Sequence, residues 1–217
     1  MSNKFEIILA EPRGFCAGVQ RAVDIVDRAL IKYGAPIYVR HEIVHNKRVV
    51  KDLEKKGAIF VDELTEVPSS SITIFSAHGV SKNVELESKK LKLDVLDATC
   101  PLVNKVHVEA QNFHKKGYKL LLIGHSGHPE VEGIMGRVNT EVLLIETEKD
   151  VKKLKFSSYT KLAFVTQTTL SVDDTRKIIE ALRSKYPDIR GPDLKDICYA
   201  TQNRQNAARE LSKLTEL

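Results

Sequence analysis

The residues of this chain best suited to chemistry are its three cysteines, Cys16, Cys100 and Cys198. No two of them have the C-x-x-C spacing of a structural zinc hairpin, so only the folded chain could bring them together. Three thiolates can hold an iron–sulfur cluster and leave one iron without a protein thiolate, open to a substrate. The pattern therefore indicates one shared, reducing metal centre. The alternative is three unrelated buried cysteines.

Other reactive residues follow predicted strands, where parallel α/β proteins bind their ligands. The segments concerned are HEIVHN with His41 and His45, AHG with His78, HSGHPE with His125, His128 and Glu130, and TQTT with Thr168. We expect one face of the protein to collect these imidazoles, carboxylates and hydroxyls together with the cysteines.

Each of these residues has a functional and a structural interpretation. Gly79, Gly127 and Pro129 indicate that His78 and His128 lie on tight exposed turns, where imidazole N–H groups would suit phosphate oxygens. His41 is expected instead to cap its strand through a backbone carbonyl.

Glu130 is either a proton donor with a shifted pKa or an acid that favours the start of a helix. Thr168 either relays a proton or is a turn residue.

Zinc is the competing metal. The segment HSGHPE offers His125, His128 and Glu130 as ligands, which would suit a zinc-dependent hydrolase. The helical H-E-x-x-H pattern is absent, however, and Pro129 is expected to interrupt a helix before Glu130. The phosphate-binding glycine motifs of nucleotide-binding proteins are also absent.

The composition of the chain limits the classes of protein to which it can belong. The chain has 217 residues, 42% of them hydrophobic, and a net charge of +5. Its lysines are spread along predicted helix faces rather than gathered with aromatic residues, which argues against nucleic-acid binding. The first apolar run is too short for a signal peptide or a membrane span. An odd number of cysteines without an export signal predicts a cytoplasmic protein without disulfides.

Apolar runs alternate with helical patterns, which predicts an α/β fold with largely parallel sheets. We expect two similar small domains, 1–97 and 98–217, around the metal site. On the predicted helix 102–116, Lys105 and His107 are expected to flank the apolar face. The predicted strands are 7–10, 36–40, 58–61, 72–76, 95–96, 120–124, 142–145 and 162–166; the predicted helices are 19–33, 46–56, 82–91, 102–116, 148–154, 172–185 and one from about residue 202.

Seven segments, in order, closely resemble the 4-hydroxy-3-methylbut-2-enyl diphosphate reductase family of the non-mevalonate isoprenoid pathway. They are PRGFCAGV, IYVRHEIVHN, FSAHGVS, DATCPLV, IGHSGHPEVEG, FVTQTTLSVDDT and DICYATQNRQ. The resemblance covers essentially the whole chain. It implies a reductase that removes the allylic hydroxyl of its substrate as water, using two electrons and protons, to give isopentenyl and dimethylallyl diphosphates.

The resemblance also implies roles for individual residues. A [4Fe-4S] cluster would be held by Cys16, Cys100 and Cys198, and its electrons would come from a ferredoxin or flavodoxin. The diphosphate would be held by His45, His78 and His128, Glu130 would supply protons, and Thr168 would assist near the substrate hydroxyl.

One departure from the family pattern concerns its third domain, which adds a Ser-Ser-Asn-type stretch and a later serine around the diphosphate. No such stretch occurs before Leu217. Since each charge-assisted bond to phosphate contributes about 1.5–3 kcal/mol, we expect the chain alone to be poorly active. A non-catalytic metal- or phosphate-binding remnant of the family is therefore the second alternative, beside the zinc hydrolase.

Overall fold

The computed structural model describes residues 6–215, in which short apolar runs form parallel strands and the amphipathic segments between them form helices. The first half of the chain builds a four-stranded sheet in the order β2-β1-β3-β4. Its elements are α1 (Ala17–Tyr33), β1 (Ile37–Arg40), α2 (Lys47–Lys55), β2 (Ala58–Val61), a 3-10 turn (Leu64–Glu66), β3 (Ile72–Phe75), α3 (Lys82–Lys90) and β4 (Asp94–Asp97).

The second half builds a three-stranded parallel sheet in the order β6-β5-β7. Strand β7 is buried along its whole length, as expected for a parallel strand covered on both faces. The elements are α4 (Pro101–Lys115), β5 (Lys119–Ile123), α5 (Pro129–Met135), β6 (Leu143–Ile145), α6 (Glu148–Lys153), β7 (Leu162–Thr166), α7 (Val172–Lys185) and α8 (Tyr199–Ser212).

These sheets confirm the predicted α/β class with parallel strands. Strand 58–61 and helix 172–185 have the bounds expected from the sequence. The two sheets lie on either side of residue 98, although a division into domains 1–97 and 98–217 stays a prediction.

One expected strand is wrong. Residues 7–10 form no strand, and Ile7 and Leu9 are 85% and 59% exposed. The reason is that an apolar run becomes a strand only beside a free strand edge, and within the described residues this run pairs with neither sheet. The expectation for Pro129 is confirmed, since no helix runs through the residues before it. Helix α5 begins at Pro129 itself, where the missing N–H of proline would have no helical partner.

Within residues 6–215, none of the helices is both long enough and apolar enough to cross a membrane.

Candidate active site

The three cysteines each occupy the position directly before a helix. Cys16 precedes α1, Cys100 precedes α4 and Cys198 precedes α8. All three are unpaired and half-buried, and all line one cavity of about 290 Å³. The fold therefore brings sulfurs from distant parts of the chain to one cavity.

The walls of this cavity leave no room for a larger residue at Gly18. A Cβ there would lie 2.8 Å from Sγ of Cys100 and 3.8 Å from Sγ of Cys16, so both sulfurs flank the same small space. Backbone bonds fix the cysteine loops to neighbouring strand ends. The N–H of Cys100 donates to the carbonyl of Ala77 at 3.0 Å, and that of Cys198 donates to the carbonyl of Thr168 at 2.7 Å.

A cluster of three imidazoles lies beside the cysteines. His45 and His78 line the cavity, and their ring centroids are 4.2 Å apart. His128 joins them with its Nε2 atom 3.2 Å from Nε2 of His45. One ring nitrogen from each of the three residues lies within 4.8 Å of the others, which is close enough for a shared ligand.

Burial governs the protonation of two imidazoles in this cluster, those of His78 and His128. Burial, and then the neighbouring imidazoles, lower the pKa of His78 to about 3 and that of His128 to about 4, so both rings are neutral near pH 7. The backbone N–H of Glu130 donates to Nδ1 of His128 at 3.1 Å. The proton of neutral His128 must therefore reside on Nε2, which makes this atom a donor rather than a metal ligand.

Glu130 forms the buried acid of the cavity. It is only 2% exposed, and Thr168 donates to both of its oxygens, from the backbone N–H at 2.6 Å and from Oγ1 at 3.1 Å. Burial raises the pKa of Glu130 to about 7, although both hydrogen bonds from Thr168 lower it. A carboxyl group with this pKa can hold and release a proton near neutral pH.

The remaining histidines stay outside this group. His125 is exposed and is not part of the cavity wall. His41 does not cap its strand through a backbone carbonyl, because its Nδ1 faces Asp62 at 3.4 Å. The expected exposure of His78 is also wrong, since this residue is 8% exposed. Arg204 lines the cavity and donates to the carbonyl of Gly14, a role that no local sequence signal reveals.

The donor set fits a metal cofactor of the iron–sulfur kind. Soft thiolates select iron–sulfur clusters, and three cysteines leave one iron free of a protein thiolate. Gly18 keeps open the space between the sulfurs that a side chain would otherwise fill. The cavity thus combines three sulfur ligands, imidazole donors and a buried acid.

Comparisons with known proteins agree with this arrangement. The LytB protein family matches residues 7–217. The chain is 60% identical over 212 residues to 4-hydroxy-3-methylbut-2-enyl diphosphate reductase 2 of Bradyrhizobium diazoefficiens, which covers 98% of this chain and 69% of that protein. It is also 60% identical to the 4-hydroxy-3-methylbut-2-enyl diphosphate reductase of Burkholderia pseudomallei, over 97% of this chain and 67% of that protein.

Solved structures give the same result. The E-1-hydroxy-2-methyl-but-2-enyl-4-diphosphate reductase of Plasmodium falciparum superposes with a TM-score of 0.89 at 48% identity, and the match covers 92% of this chain and 63% of that one. The chain thus spans about two thirds of the length of its relatives. Because the family match extends over nearly all of its residues, the chain belongs to the LytB family.

Proposed function

We propose that this protein is a 4-hydroxy-3-methylbut-2-enyl diphosphate reductase. The reaction would replace the allylic hydroxyl of the substrate with hydrogen, consuming two electrons and two protons and releasing water. Isopentenyl and dimethylallyl diphosphates would be the products. The observation that carries the proposal is the meeting of three cysteines, two imidazoles and a buried carboxyl around one small cavity, with the third imidazole, His128, in contact with His45. Membership of the family favours this function over the zinc-hydrolase and non-catalytic alternatives.

Cys16, Cys100 and Cys198 would hold a [4Fe-4S] cluster. When bound, the cluster supplies an open iron for the substrate oxygen and a path for electrons. The three helix N-termini behind these residues would stabilise the negative charge of the thiolates.

The imidazole cluster would hold the diphosphate. The Nε2–H of His128, whose Nδ1 accepts from the backbone N–H of Glu130, points at Nε2 of His45 in the free site and would turn to a phosphate oxygen when the diphosphate binds; His78 stands next to this pair. Neutral imidazoles donate hydrogen bonds to phosphate oxygens without placing buried positive charges in the free site. The hydrocarbon part of the substrate would lie on the apolar cavity wall, formed by Val19, Val44, Ala77, Leu102 and Val103.

Glu130 would be the proton donor and Thr168 its partner. With a pKa raised to about 7, Glu130 carries a proton in a large fraction of molecules at neutral pH. The hydroxyl of Thr168 lies 3.1 Å from Oε2 of Glu130 and also lines the cavity, so it can contact both the acid and the substrate hydroxyl. Burial excludes bulk water from this pair, which keeps the proton available for the substrate.

We further propose that the electrons come from a ferredoxin or flavodoxin and that the protein works in the reducing cytoplasm. The three free cysteines support this setting, because thiolates open to a cavity would be oxidised elsewhere.

Purification without oxygen, followed by an assay with an artificial one-electron reductant, tests the proposal. We expect brown protein containing iron and acid-labile sulfide, and formation of both isoprenyl diphosphates at a detectable rate, however slow, because poor activity is expected of this chain alone. Colourless protein that contains zinc, or iron-loaded protein without product formation, would contradict it. The variant Glu132→Gln is a matched control for changes at Glu130, since Glu132 is an exposed carboxylate on the same helix.

A further inference from the structure

A further buried imidazole, outside the cluster of His45, His78 and His128, lies behind the proposed active site. His107 lies on α4 and is 2% exposed, so it does not flank the apolar face as the sequence predicted but packs inside. Its Nδ1 accepts a hydrogen bond of 3.0 Å from Nε of Arg137, and Arg137 in turn pairs with Glu85 of α3 at 2.5 Å. Because Arg137 follows α5, this chain of contacts joins three helices.

The His107 ring lies against two glycines, Gly79 and Gly133, which belong to the segments that carry His78 and Glu130. A Cβ on Gly79, the residue after His78, would lie 2.6 Å from Cε1 of His107. A Cβ on Gly133, one turn along α5 from Glu130, would lie 3.4 Å from Nε2 of His107. The backbone beside His78 therefore approaches the imidazole more closely than any residue but glycine allows, and the backbone of α5 near Glu130 lies against the same ring.

The protonation of His107 is also set by its surroundings. Burial, and then the charge of Arg137, lower its pKa to about 4, so the ring is neutral. Because Nδ1 accepts from Arg137, the ring proton resides on Nε2, and this atom has no hydrogen-bond partner within residues 6–215. Unpartnered buried donors are rare in native proteins and call for an explanation. A purely apolar side chain would fill this space without that cost.

We propose that His107 is a positioning residue that sets the distance between the His78 loop and the start of α5, and thereby the geometry of the diphosphate and proton-donor sites. This inference rests on the proposed function. Arg137 orients the ring from one side, and the two glycine backbones lie against the other edge. His107 itself does not line the cavity.

The test compares His107→Leu with Val106→Ala in the iron-loaded protein. Val106 is a neighbouring, fully buried residue of the same helix that packs in the core of the second sheet, so its truncation also lowers stability. Inorganic pyrophosphate binding is measured by calorimetry, and the imidazole nitrogen signals of His78 and His128 are measured by NMR on protein labelled with ¹⁵N-histidine.

We expect His107→Leu to keep its iron, to bind pyrophosphate at least tenfold more weakly and to shift the signals of His78 and His128. The signal of His128 Nδ1 should respond because any movement of α5 changes its bond to the Glu130 N–H. Val106→Ala should leave both measurements unchanged. His107→Gln, whose amide oxygen can accept from Arg137, should recover part of the lost affinity.

Equal effects of His107→Leu and Val106→Ala, or unaltered imidazole signals in His107→Leu, would overturn the inference. If His107→Leu does not fold, Arg137→Met takes its place, because it removes the donor that orients the ring. Failure of the parent protein to bind pyrophosphate would count against the proposed function, whereas the imidazole signals would still decide the role of His107.

Discussion

The two walls of the cavity beside the cysteines are built in opposite ways. The imidazole wall of His45, His78 and His128 comes from three separate loops, and its members contact one another. The carboxyl wall consists of Glu130 alone, which is buried and held by two hydrogen bonds from Thr168. One wall therefore presents several donors to a ligand, and the other keeps a single acid away from bulk water.

Both walls nevertheless shift their groups toward neutrality. Burial lowers the pKa of His78 and His128 and raises that of Glu130, since a low dielectric disfavours any charge. The imidazoles become uncharged N–H donors and the carboxyl becomes an acid that works near pH 7. Desolvation, with a contribution from neighbouring imidazoles at His78 and His128, thus leaves one wall with uncharged N–H donors and the other with a carboxyl that can deliver a proton.

The largest expected effect is a loss of the metal in a variant that leaves both walls intact. Cys100→Ser should remove most of the iron and sulfide, because a neutral hydroxyl replaces a thiolate ligand. Iron and acid-labile sulfide are measured after anaerobic purification. Glu130→Gln, which leaves all three cysteines intact, is the control and should keep its iron. A brown, fully loaded Cys100→Ser protein would show that this residue is not a ligand.

The next effect distinguishes the role of the carboxyl wall in turnover from the role of the imidazole wall in binding. Glu130→Gln should lower turnover by about 10²–10⁴-fold, the usual contribution of general acid catalysis, and leave pyrophosphate affinity nearly unchanged. Steady-state kinetics and calorimetry measure the two quantities. The control Glu132→Gln should match the parent protein in both. If Glu130→Gln turns over at the parent rate, Glu130 is not the proton donor.

A third effect concerns stability and pH. Burial raises the pKa of Glu130 from 4.5 to about 7. The contribution of this shift to the free energy of unfolding is therefore fully present below pH 4.5 and is lost as pH rises through 7. The lowered pKa values of His78 and His128 act in the opposite direction, because stability is lost as pH falls. This effect is the same in the parent protein and in the variant Glu130→Gln, so it cancels when the two are compared. The unfolding free energy of Glu130→Gln relative to the parent should therefore rise by up to roughly 3 kcal/mol across this range.

Denaturant unfolding at about pH 4.5 and about pH 8 measures this difference. Glu132→Gln serves again as the control, since an exposed carboxylate should give no such trend. A constant difference between Glu130→Gln and the parent at both values would mean that Glu130 has the same pKa in the folded and unfolded protein, so that burial does not raise it.

The smallest effect concerns the space between the sulfurs. Gly18→Ala should lower the iron content partially, because its Cβ would lie 2.8 Å from Sγ of Cys100. Alanine favours a helix over glycine by about 1 kcal/mol, which offsets part of the cost of moving the Cys100 side chain, so iron content should fall more than stability does. Ala17→Ser, at an exposed position on the same turn of α1, is the control. Full iron content in Gly18→Ala would show that the metal does not approach this residue.

Much of the fold could be predicted from the sequence because strands and helices follow local apolar patterns. The strand at 58–61 and the helix at 172–185 lie where these patterns place them. The rule that ligands bind beyond the ends of parallel strands also identified the loops of His45, His78 and His128.

The rest depends on tertiary packing, which no local pattern contains. The shifted pKa of Glu130 follows from burial against Thr168, and the burial of His107 follows from the approach of two glycine backbones. The helix at Pro129–Met135 has no counterpart among the predicted helices, because seven residues are too few to show a helical apolar period. The run 7–10 was wrongly assigned because pairing, not hydrophobicity, makes a strand.

The most direct test of the account is the location of iron by anomalous X-ray scattering in crystals of the anaerobically purified protein. The account predicts one compact iron peak bordered by the sulfurs of Cys16, Cys100 and Cys198. A metal bound instead by the imidazoles of His45, His78 and His128, with no iron at the cysteines, would contradict it.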